Sequence, residues 1–420
     1  MIDFKKKRWF FIVLVAIAYG GVWTFPYMLE TYYVPIQKAF GFTNEQLGTI
    51  MTIFGIASAL LYGPGGFIAD RFSVKKLLAT SLIGTAVLGA TVLTIPPLWI
   101  MCVIQFGYGI TLVLIMWGAL MKFLRMMGDE HEQGKIYGFF FAISGVAGAI
   151  EGFGGTHLYD ALGQDLHAFK MLLLFYVVCV GVPGLLFAIL FNEKEAFAAE
   201  NDDSGKIEIS QLGAIAKMPF VWLLIGLVFF TFFSKSGMVY FQPYLKEFFA
   251  VPVATISIIA IIRQQVVRLF TAPVTGIATD KTGSSIKSMG FGIFLGIVAA
   301  SMMLLTPKAP ALAWVIIAAL MLTAVYYNIC MPSYYIPISE AKIPLKYTGT
   351  IVGIVSIIGF SSDMFYYKVC GYLLDTYGEK GYSMIFGTSL VTSFIAIVFA
   401  VLLYRHVKKM AASGDFELSE

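Results

Sequence analysis

The sequence predicts an all-α integral membrane protein in which twelve transmembrane helices form two pseudo-symmetric six-helix bundles. Three observations support this fold class: the composition, the number of long apolar stretches, and a sequence repeat between the two halves. Of the 420 residues, 59% are hydrophobic and only 13% are charged, and the mean hydropathy is +0.82. Soluble globular domains carry about 25% charged residues. In water this chain would expose extensive apolar surface, so a soluble protein is excluded.

Twelve stretches are apolar and long enough to cross a bilayer, which requires roughly 20 residues. The first of them follows a basic N-terminus and lacks the small-residue cleavage site of a signal peptide, so we expect it to be retained. We number the stretches as spans 1–12, and they cover residues 9–32, 46–68, 77–97, 98–122, 136–158, 169–191, 219–243, 254–277, 287–306, 310–335, 348–372 and 382–404.

The basic residues fall mainly on one side of the predicted membrane. Twenty of the 29 Lys and Arg residues occupy the termini and the loops on the N-terminal side, five occupy the opposite loops, and four lie inside spans. Cytoplasmic loops are enriched in Lys and Arg. The sequence therefore predicts that both termini are cytoplasmic and that the protein lies in the cytoplasmic (inner) membrane.

One charged segment divides the chain into two sets of six spans. Residues 193–208 hold eight charged residues together with Ser204 and Gly205, a composition typical of a solvated linker. The predicted organisation is an N-terminal six-helix bundle at 1–192, a cytoplasmic linker at 193–217, a C-terminal six-helix bundle at 218–408 and a cytoplasmic tail at 409–420.

Short sequence matches relate the two halves at a nearly constant offset. They occur in order and at corresponding positions in the span count, which indicates a duplicated six-helix unit. Parallel repeats with a binding site between them near mid-membrane are a feature of secondary transporters. The matching pairs are residues 66–71 with 276–281, 134–138 with 349–353, and 26–30 with 243–247.

The loop after span 2 resembles a signature of the major facilitator superfamily. The segment GFIADRFSVKK at 66–76 is similar to the family pattern G-x-x-x-D-R-x-G-x-[RK]-[RK], with Ser73 at the usual glycine, and DKTG at 280–283 is similar to its second copy. The resemblance covers all twelve spans and implies a twelve-helix transporter fold. The stretch 128–138 resembles bacterial organic-anion, sugar-phosphate and nitrate-type permeases more than it resembles multidrug exporters.

The resemblance implies a gating role for Gly66, Asp70, Arg71, Asp280 and Lys281. It places Asp70 against the start of span 11 when the cytoplasmic side is closed, with Arg71 holding it there, and Asp280 against the start of span 5. The N-terminus of a helix carries a partial positive charge that attracts a carboxylate. Such contacts would bias the equilibrium between outward-facing and inward-facing states.

Two other family patterns are not met. In span 4, Gln105 occupies the position of an arginine that serves proton-coupled members of the family. In span 5, the glycine-rich stretch 145–155 lacks the proline that is typical of drug exporters. Both departures disfavour multidrug export.

Ionisable residues inside the spans are the main functional candidates. A charge at mid-membrane costs about 2.5–3.5 kcal/mol on insertion scales. Three bases and two acids are predicted to lie deep, and this excess of bases favours an anionic substrate. We expect Glu30, near the end of span 1, to reach water instead. The deep residues are Lys235, Arg263, Arg268, Glu151 and Asp363.

The bases are the predicted substrate ligands. On a helical wheel of 100° per residue, Arg268 shares a polar stripe of span 8 with Gln264, whereas Arg263 has apolar neighbours. Arg268 is therefore the first candidate, because a planar guanidinium binds carboxylate or phosphate with two hydrogen bonds. Arg263 and Lys235 follow. The alternative is that the deep bases form interhelical ion pairs with the deep acids.

The two acids, Glu151 and Asp363, are predicted to take up a proton or to compensate charge. Protonation of either acid would make the cavity more positive and so permits proton symport, while exchange of one anion for another is equally allowed. Tyr326, Tyr327 and Asn328 in span 10 are further predicted substrate contacts, because a buried asparagine needs hydrogen-bond partners.

The predicted function is secondary active transport of a small anion, such as a carboxylate or phosphate ester, by proton symport or anion exchange. The alternatives are proton-coupled export of lipophilic drugs, transport of a neutral or cationic solute, and a non-transporting sensor or channel. Enzyme motifs and metal-ligand spacings are not found in the sequence, so neither catalysis nor a cofactor is predicted, and the net charge of +4 disfavours nucleic-acid binding. The expected partners are the substrate, protons or a counter-anion, and membrane lipid, with a monomer as the functional form.

Overall fold

The computed structural model describes residues 4–128, 132–192, 215 and 217–413. All regular elements within these residues are helical. Ten of the described helices are long and apolar enough to cross a membrane, and they correspond to spans 2–10 and 12. The prediction of an all-α membrane protein with a twelve-helix fold is confirmed. Spans 1 and 11 are not among these ten, and each is divided into two helices.

The helices of spans 1–6 begin and end close to the predicted windows. They are Phe4–Val22 and Leu29–Phe40 for span 1, Asn44–Arg71 for span 2, Val74–Val92 for span 3, Leu98–Met126 for span 4, Gln133–Ala161 for span 5 and Leu166–Leu190 for span 6.

The helices of spans 7–12 include more breaks. They are Pro219–Ser236 and Phe241–Phe249 for span 7, Val253–Ile261 and Val267–Thr282 for span 8, Ser285–Leu305 for span 9, Ala313–Ser333 for span 10, Leu345–Gly359 and Tyr366–Tyr377 for span 11, and Glu379–Ser413 for span 12. The short helix Ile336–Glu340 follows span 10.

Side-chain caps define where several helices begin. Thr43 and Gln46 form a capping box at the start of span 2, in which each side chain bonds the other residue's backbone N–H. Ser73 caps span 3 by accepting a hydrogen bond from the backbone N–H of Lys76 at 3.3 Å. Serine at the family's glycine position thus serves as an N-cap, since its φ of −58° does not require glycine.

Spans 1 and 7, which correspond in the repeat, are both interrupted, and span 11 is interrupted as well. Span 1 is broken by turns at residues 23–28, which include Pro26, and proline removes a backbone donor. Span 7, its counterpart in the repeat, changes to a 3₁₀ turn at Gly237–Tyr240. Span 11 contains a further 3₁₀ turn, Ser361–Met364. Breaks of this kind place backbone and side-chain polar groups inside a membrane protein.

Two π-helical segments lie within otherwise α-helical spans. Span 4 contains Gly109–Met116, and span 8 contains Ile262–Val266. A π-helical turn carries i→i+5 hydrogen bonds and is frequent at functional sites. The segment in span 8 includes two of the predicted substrate ligands, Arg263 and Gln264.

Contacts between the helices divide the chain into two compact units. Unit 1 consists of Met1–Asn201 and Pro252–Val266, and unit 2 consists of Asp202–Val251 and Val267–Glu420. The first part of span 8 thus belongs to unit 1. A division of the chain at the predicted linker would place all of span 8 in the second half. The predicted linker at 193–217 lies almost entirely outside the described residues and stays a prediction.

Each unit has its own apolar core. In unit 1, the rings of Phe11, Phe123, Phe187 and Phe191 pack with centroid separations of 4.7–6.3 Å. In unit 2, buried side chains of spans 7, 9, 10, 11 and 12 form one continuous cluster. These cores hold the helices that carry the ionisable residues described below.

Candidate functional site

Lys235 is the buried base of unit 2. It lies in the last turn of the span 7 helix Pro219–Ser236 and is 9% exposed. Its Nζ atom lies 5.5 Å from the ring centroid of Phe232 and 5.3 Å from that of Tyr327. Aromatic faces attract an ammonium group, most strongly when it is removed from water. The structure therefore brings together two residues that the sequence singled out, Lys235 and Tyr327.

Asp363 contacts the same turn of span 7 at Ser236, the residue that follows Lys235. It lies in the 3₁₀ turn Ser361–Met364 of span 11 and is 6% exposed. The hydroxyl of Ser236 donates a hydrogen bond to Asp363 Oδ1 at 2.6 Å. The ammonium group of Lys235 and the carboxyl group of Asp363 thus both lie at the last turn of the span 7 helix Pro219–Ser236.

Tyr326 and Asn328 have different surroundings from Tyr327. The Tyr326 hydroxyl donates to the backbone carbonyl of Thr231 at 2.9 Å, and its ring packs against Gly296. The Asn328 Nδ2 atom donates to the carbonyl of Ala324, one turn earlier in its own helix, at 2.9 Å. The Tyr326 bond joins spans 10 and 7, its ring packs on span 9, and the Asn328 bond stays within span 10. Of the three residues, Tyr327 is the one whose ring lies against Lys235.

Arg263 lies in unit 1 and forms a buried ion pair. Its Nη2 atom is 3.2 Å from Oε2 of Glu30, and both side chains are 7% exposed. An interhelical ion pair is the alternative that the sequence left open, but with a different acid from the two expected. The expectation that Glu30 reaches water is wrong, because the helix Leu29–Phe40 continues beyond it and buries it.

Gln264 contacts the same part of span 1 as its neighbour Arg263. Its Nε2 atom donates to the backbone carbonyl of Glu30 at 3.1 Å and to the hydroxyl of Thr31 at 3.2 Å. The π-helical segment Ile262–Val266 thus presents two consecutive side chains to one turn of span 1. Both predicted ligands are engaged with protein groups in this conformation.

Glu151 lies in unit 1 near the middle of span 5. It is 5% exposed, and neither carboxyl oxygen has a hydrogen-bond partner among the residues that the structure describes. Nearby, the Tyr32 hydroxyl bonds with the carbonyl of Gly152 at 3.2 Å, the Thr156 hydroxyl at 3.2 Å and the Tyr176 hydroxyl at 3.1 Å. A polar network thus joins spans 1, 5 and 6 beside the acid.

The remaining predicted residues are exposed or only partly described. Arg268 is exposed on the helix Val267–Thr282 of unit 2, and Arg71 and Lys281 are exposed at helix ends. The surroundings of Gly66 and the side chains of Asp70 and Asp280 lie outside what the structure describes, so the gating role stays a prediction.

A small, mostly apolar cavity in unit 1 is lined in part by Gln105, which occupies the position of the family's arginine. Gln105 and Tyr108 line a cavity of about 30 Å³ in the extracellular half predicted for spans 1–4 and 6. The Gln105 Nε2 atom donates to the carbonyl of Pro26 at 3.5 Å, across the break in span 1. The Gln105 Oε1 atom and the Tyr108 hydroxyl have no partner among the described residues. About 10–15 Å³ admits one water molecule, so water fits here.

Sequence reasoning missed Glu30 and the network of Tyr32, Thr156 and Tyr176. The network had no signal in the sequence, because aromatic residues are too common in this chain for any tyrosine to stand out. Within the described residues, no group of three His, Cys, Asp or Glu side chains is placed to hold a metal ion.

Curated relatives of the chain are membrane proteins of similar length. Inner membrane protein YqcE of Escherichia coli (strain K12) is 28% identical over 407 residues, which cover 96% of each chain. Inner membrane protein YihN of the same organism is 26% identical over 410 residues, covering 96% of this chain and 97% of that protein. The Probable nitrate/nitrite transporter NarK2 of Mycobacterium tuberculosis (strain ATCC 25618 / H37Rv) is 26% identical over 160 residues, or 37% of this chain and 39% of that protein.

Solved transporter structures share the fold. A bacterial homolog to the human lysosomal transporter Spinster aligns with a TM-score of 0.75 at 14% identity, covering 98% of this chain and 99% of that chain. The nucleoside transporter NupG aligns with a TM-score of 0.69 at 11% identity, covering 96% and 99%. The model of the Major Facilitator Superfamily matches residues 10–367, and this protein, a multi-pass membrane transporter, belongs to that family.

Proposed function

We propose that the protein is a secondary active transporter that moves a small anion, such as a carboxylate or phosphate ester, across the cytoplasmic membrane by alternating access. The observation that carries this proposal is Lys235, buried in unit 2 against the faces of Phe232 and Tyr327. A base is costly to bury inside a membrane protein, and such residues line substrate or ion pathways. An ammonium group offers three hydrogen-bond donors to an anion.

The charges of unit 2 support the same substrate class. Lys235 is buried and Arg268 is exposed, and together they carry two positive charges, whereas the buried Asp363 carries one negative charge. Asp363 accepts a hydrogen bond from Ser236, which fixes its position. The remaining positive charge favours an anion over a cation or a lipophilic drug. The nitrate/nitrite transporter named among the relatives points to the same class.

The chain is proposed to lie in the inner membrane as a monomer with both termini cytoplasmic. The excess of Lys and Arg on one side supports this orientation. The relatives YqcE and YihN, both inner membrane proteins, support the location.

A binding screen followed by a flux assay tests the proposed substrate class. Purified protein is expected to gain thermal stability with one class of anion among carboxylates, phosphate esters, sulfonates and nitrate, because a ligand that binds only the folded state raises the unfolding temperature. In liposomes, uptake of that anion should saturate and should accelerate when unlabelled anion is placed on the opposite side. Stabilisation by neutral solutes or cations alone would contradict the proposal, and uptake without such acceleration would identify a channel.

The gate proposed from the family resemblance has its own test. Asp70→Asn is expected to shift the protein toward the inward-facing state and to slow transport, because the amide interacts less well with a helix N-terminus than a carboxylate does. Labelling of single cysteines on the two faces of the membrane measures the shift, with Asp160→Asn, an exposed acid at the end of span 5, as the control. Unchanged labelling and unchanged turnover in Asp70→Asn would exclude this role.

A further inference from the structure

The buried carboxyl group of Glu151 is not explained by anion binding. It lies in span 5, in the helix Gln133–Ala161, and is 5% exposed. Neither Oε1 nor Oε2 has a hydrogen-bond partner among the residues that the structure describes. Buried polar side chains almost always have such partners. A buried acid without them inside a transporter therefore points to a ligand of its own.

The backbone of span 1 comes close to this carboxyl group at Gly21. A Cβ atom added to Gly21 would meet Glu151 Oε2 and would lie 3.5 Å from the ring of Tyr176. A larger residue at this position would require the end of the Glu151 side chain to move. The acid is confined between spans 1, 5 and 6, where bulk water does not surround it.

The titratable groups around Glu151 lie on spans 1, 6 and 8. Span 6 contributes Tyr176 and Cys179, both of which interact electrostatically with Glu151. Span 1 contributes Tyr32, whose hydroxyl bonds with that of Tyr176 at 3.1 Å. The part of span 8 that packs on span 5 contributes Arg263, and its guanidinium is directed to Glu30 at 3.2 Å.

These surroundings favour the neutral form of the carboxyl group. An ionised carboxylate without hydrogen bonds in a protein interior costs far more free energy than the neutral acid does. In this conformation the protonated form is therefore the favoured one. It can ionise only in a conformation that admits water or brings a base to it. Asp363 differs, because the hydrogen bond from Ser236 stabilises it as an acceptor.

We propose that Glu151 is the proton-binding site through which this transporter couples anion movement to the proton gradient. On one side of the membrane, the carboxylate takes a proton from water and becomes the neutral acid. On the other side, the acid returns that proton to water, so one proton crosses with each transport cycle. Proton binding rests on the geometry of Glu151, whereas the co-transported anion rests on the proposed function.

Infrared spectroscopy tests proton binding without a transport assay. Wild-type protein is expected to show the carbonyl stretch of a buried protonated carboxyl group, and Glu151→Gln should lose this band. Asp160→Asn, which removes an exposed carboxyl group from the same helix, should retain it. Glu151→Asp keeps a carboxyl group and should shift the band, which provides a second variant if the glutamine variant folds poorly.

Flux measurements then test the coupling. In liposomes, the wild type should take up protons together with the anion, and Glu151→Gln should lose this proton uptake while it retains exchange of the anion. An unchanged infrared band in Glu151→Gln overturns the proton site, and normal proton uptake in this variant overturns its coupling role. If Glu151→Gln loses the band and the wild type transports no anion, the proton site is supported and the proposed substrate class is contradicted.

Discussion

Arg263→Met is expected to lower the free energy of unfolding by about 3–5 kcal/mol, because it leaves Glu30 buried without its counter-charge. The pair is formed at 3.2 Å between side chains that are each 7% exposed. Thermal unfolding of the purified protein in detergent measures the loss. A matched control is Lys246→Met, which removes a base from an exposed position in span 7 and should change stability by less than about 0.5 kcal/mol.

The double variant Glu30→Gln/Arg263→Met separates the ion pair from the packing of the two side chains. It should be more stable than Arg263→Met alone, because both charges are removed together. Equal stability of the double and single variants would show that the loss comes from packing around Arg263. A stable Arg263→Met would show that Glu30 and Arg263 do not depend on each other.

Lys235→Met is expected to weaken anion binding by one charge-assisted hydrogen bond, about 1.5–3 kcal/mol, or roughly 10- to 150-fold in Kd. The reason is the loss of the buried ammonium group, while the methionine chain fills the same space against Phe232 and Tyr327. Direct binding of the stabilising anion to purified protein measures the change. Lys380→Met, at an exposed position near the start of span 12, should bind the anion normally.

Comparison with Arg268→Gln decides which base binds the anion. Under the proposal, Lys235→Met causes the larger loss of affinity, since Lys235 is buried and Arg268 is exposed. Normal affinity in Lys235→Met together with a large loss in Arg268→Gln would restore Arg268 as the main ligand. Normal affinity in both variants would contradict an anion site in unit 2.

Much of the fold follows from the sequence, because burial in a bilayer imposes a strong and local constraint. Long apolar windows locate all twelve spans, and the repeat groups them into two sets of six. The interruptions are not visible in hydropathy, since windows average composition and do not report backbone hydrogen bonding. Pro26 marks the break in span 1, but the 3₁₀ turns of spans 7 and 11 contain no proline at all.

The arrangement of span 8 shows why the candidate site was only partly predictable. The helical wheel that ranked Arg268 above Arg263 assumed a continuous α-helix. The π-helical segment Ile262–Val266 changes the hydrogen-bond spacing in the middle of the span, so residues before and after it no longer keep that angular relation. The wheel also carries no information about other helices. It could not assign Glu30 as the partner of Arg263, 233 positions away in the chain.

That separation has a consequence for how the protein is made. The ribosome synthesises Glu30 first and reaches Arg263 only after six further spans have emerged. Until span 8 arrives, Glu30 must remain at the membrane surface or enter the bilayer as the neutral acid, because a lone charge in lipid is costly. The N-terminal six spans are therefore incomplete when they leave the insertion machinery. An N-terminal half expressed alone lacks the segment that neutralises its own buried acid, so biogenesis of the first half depends on the second.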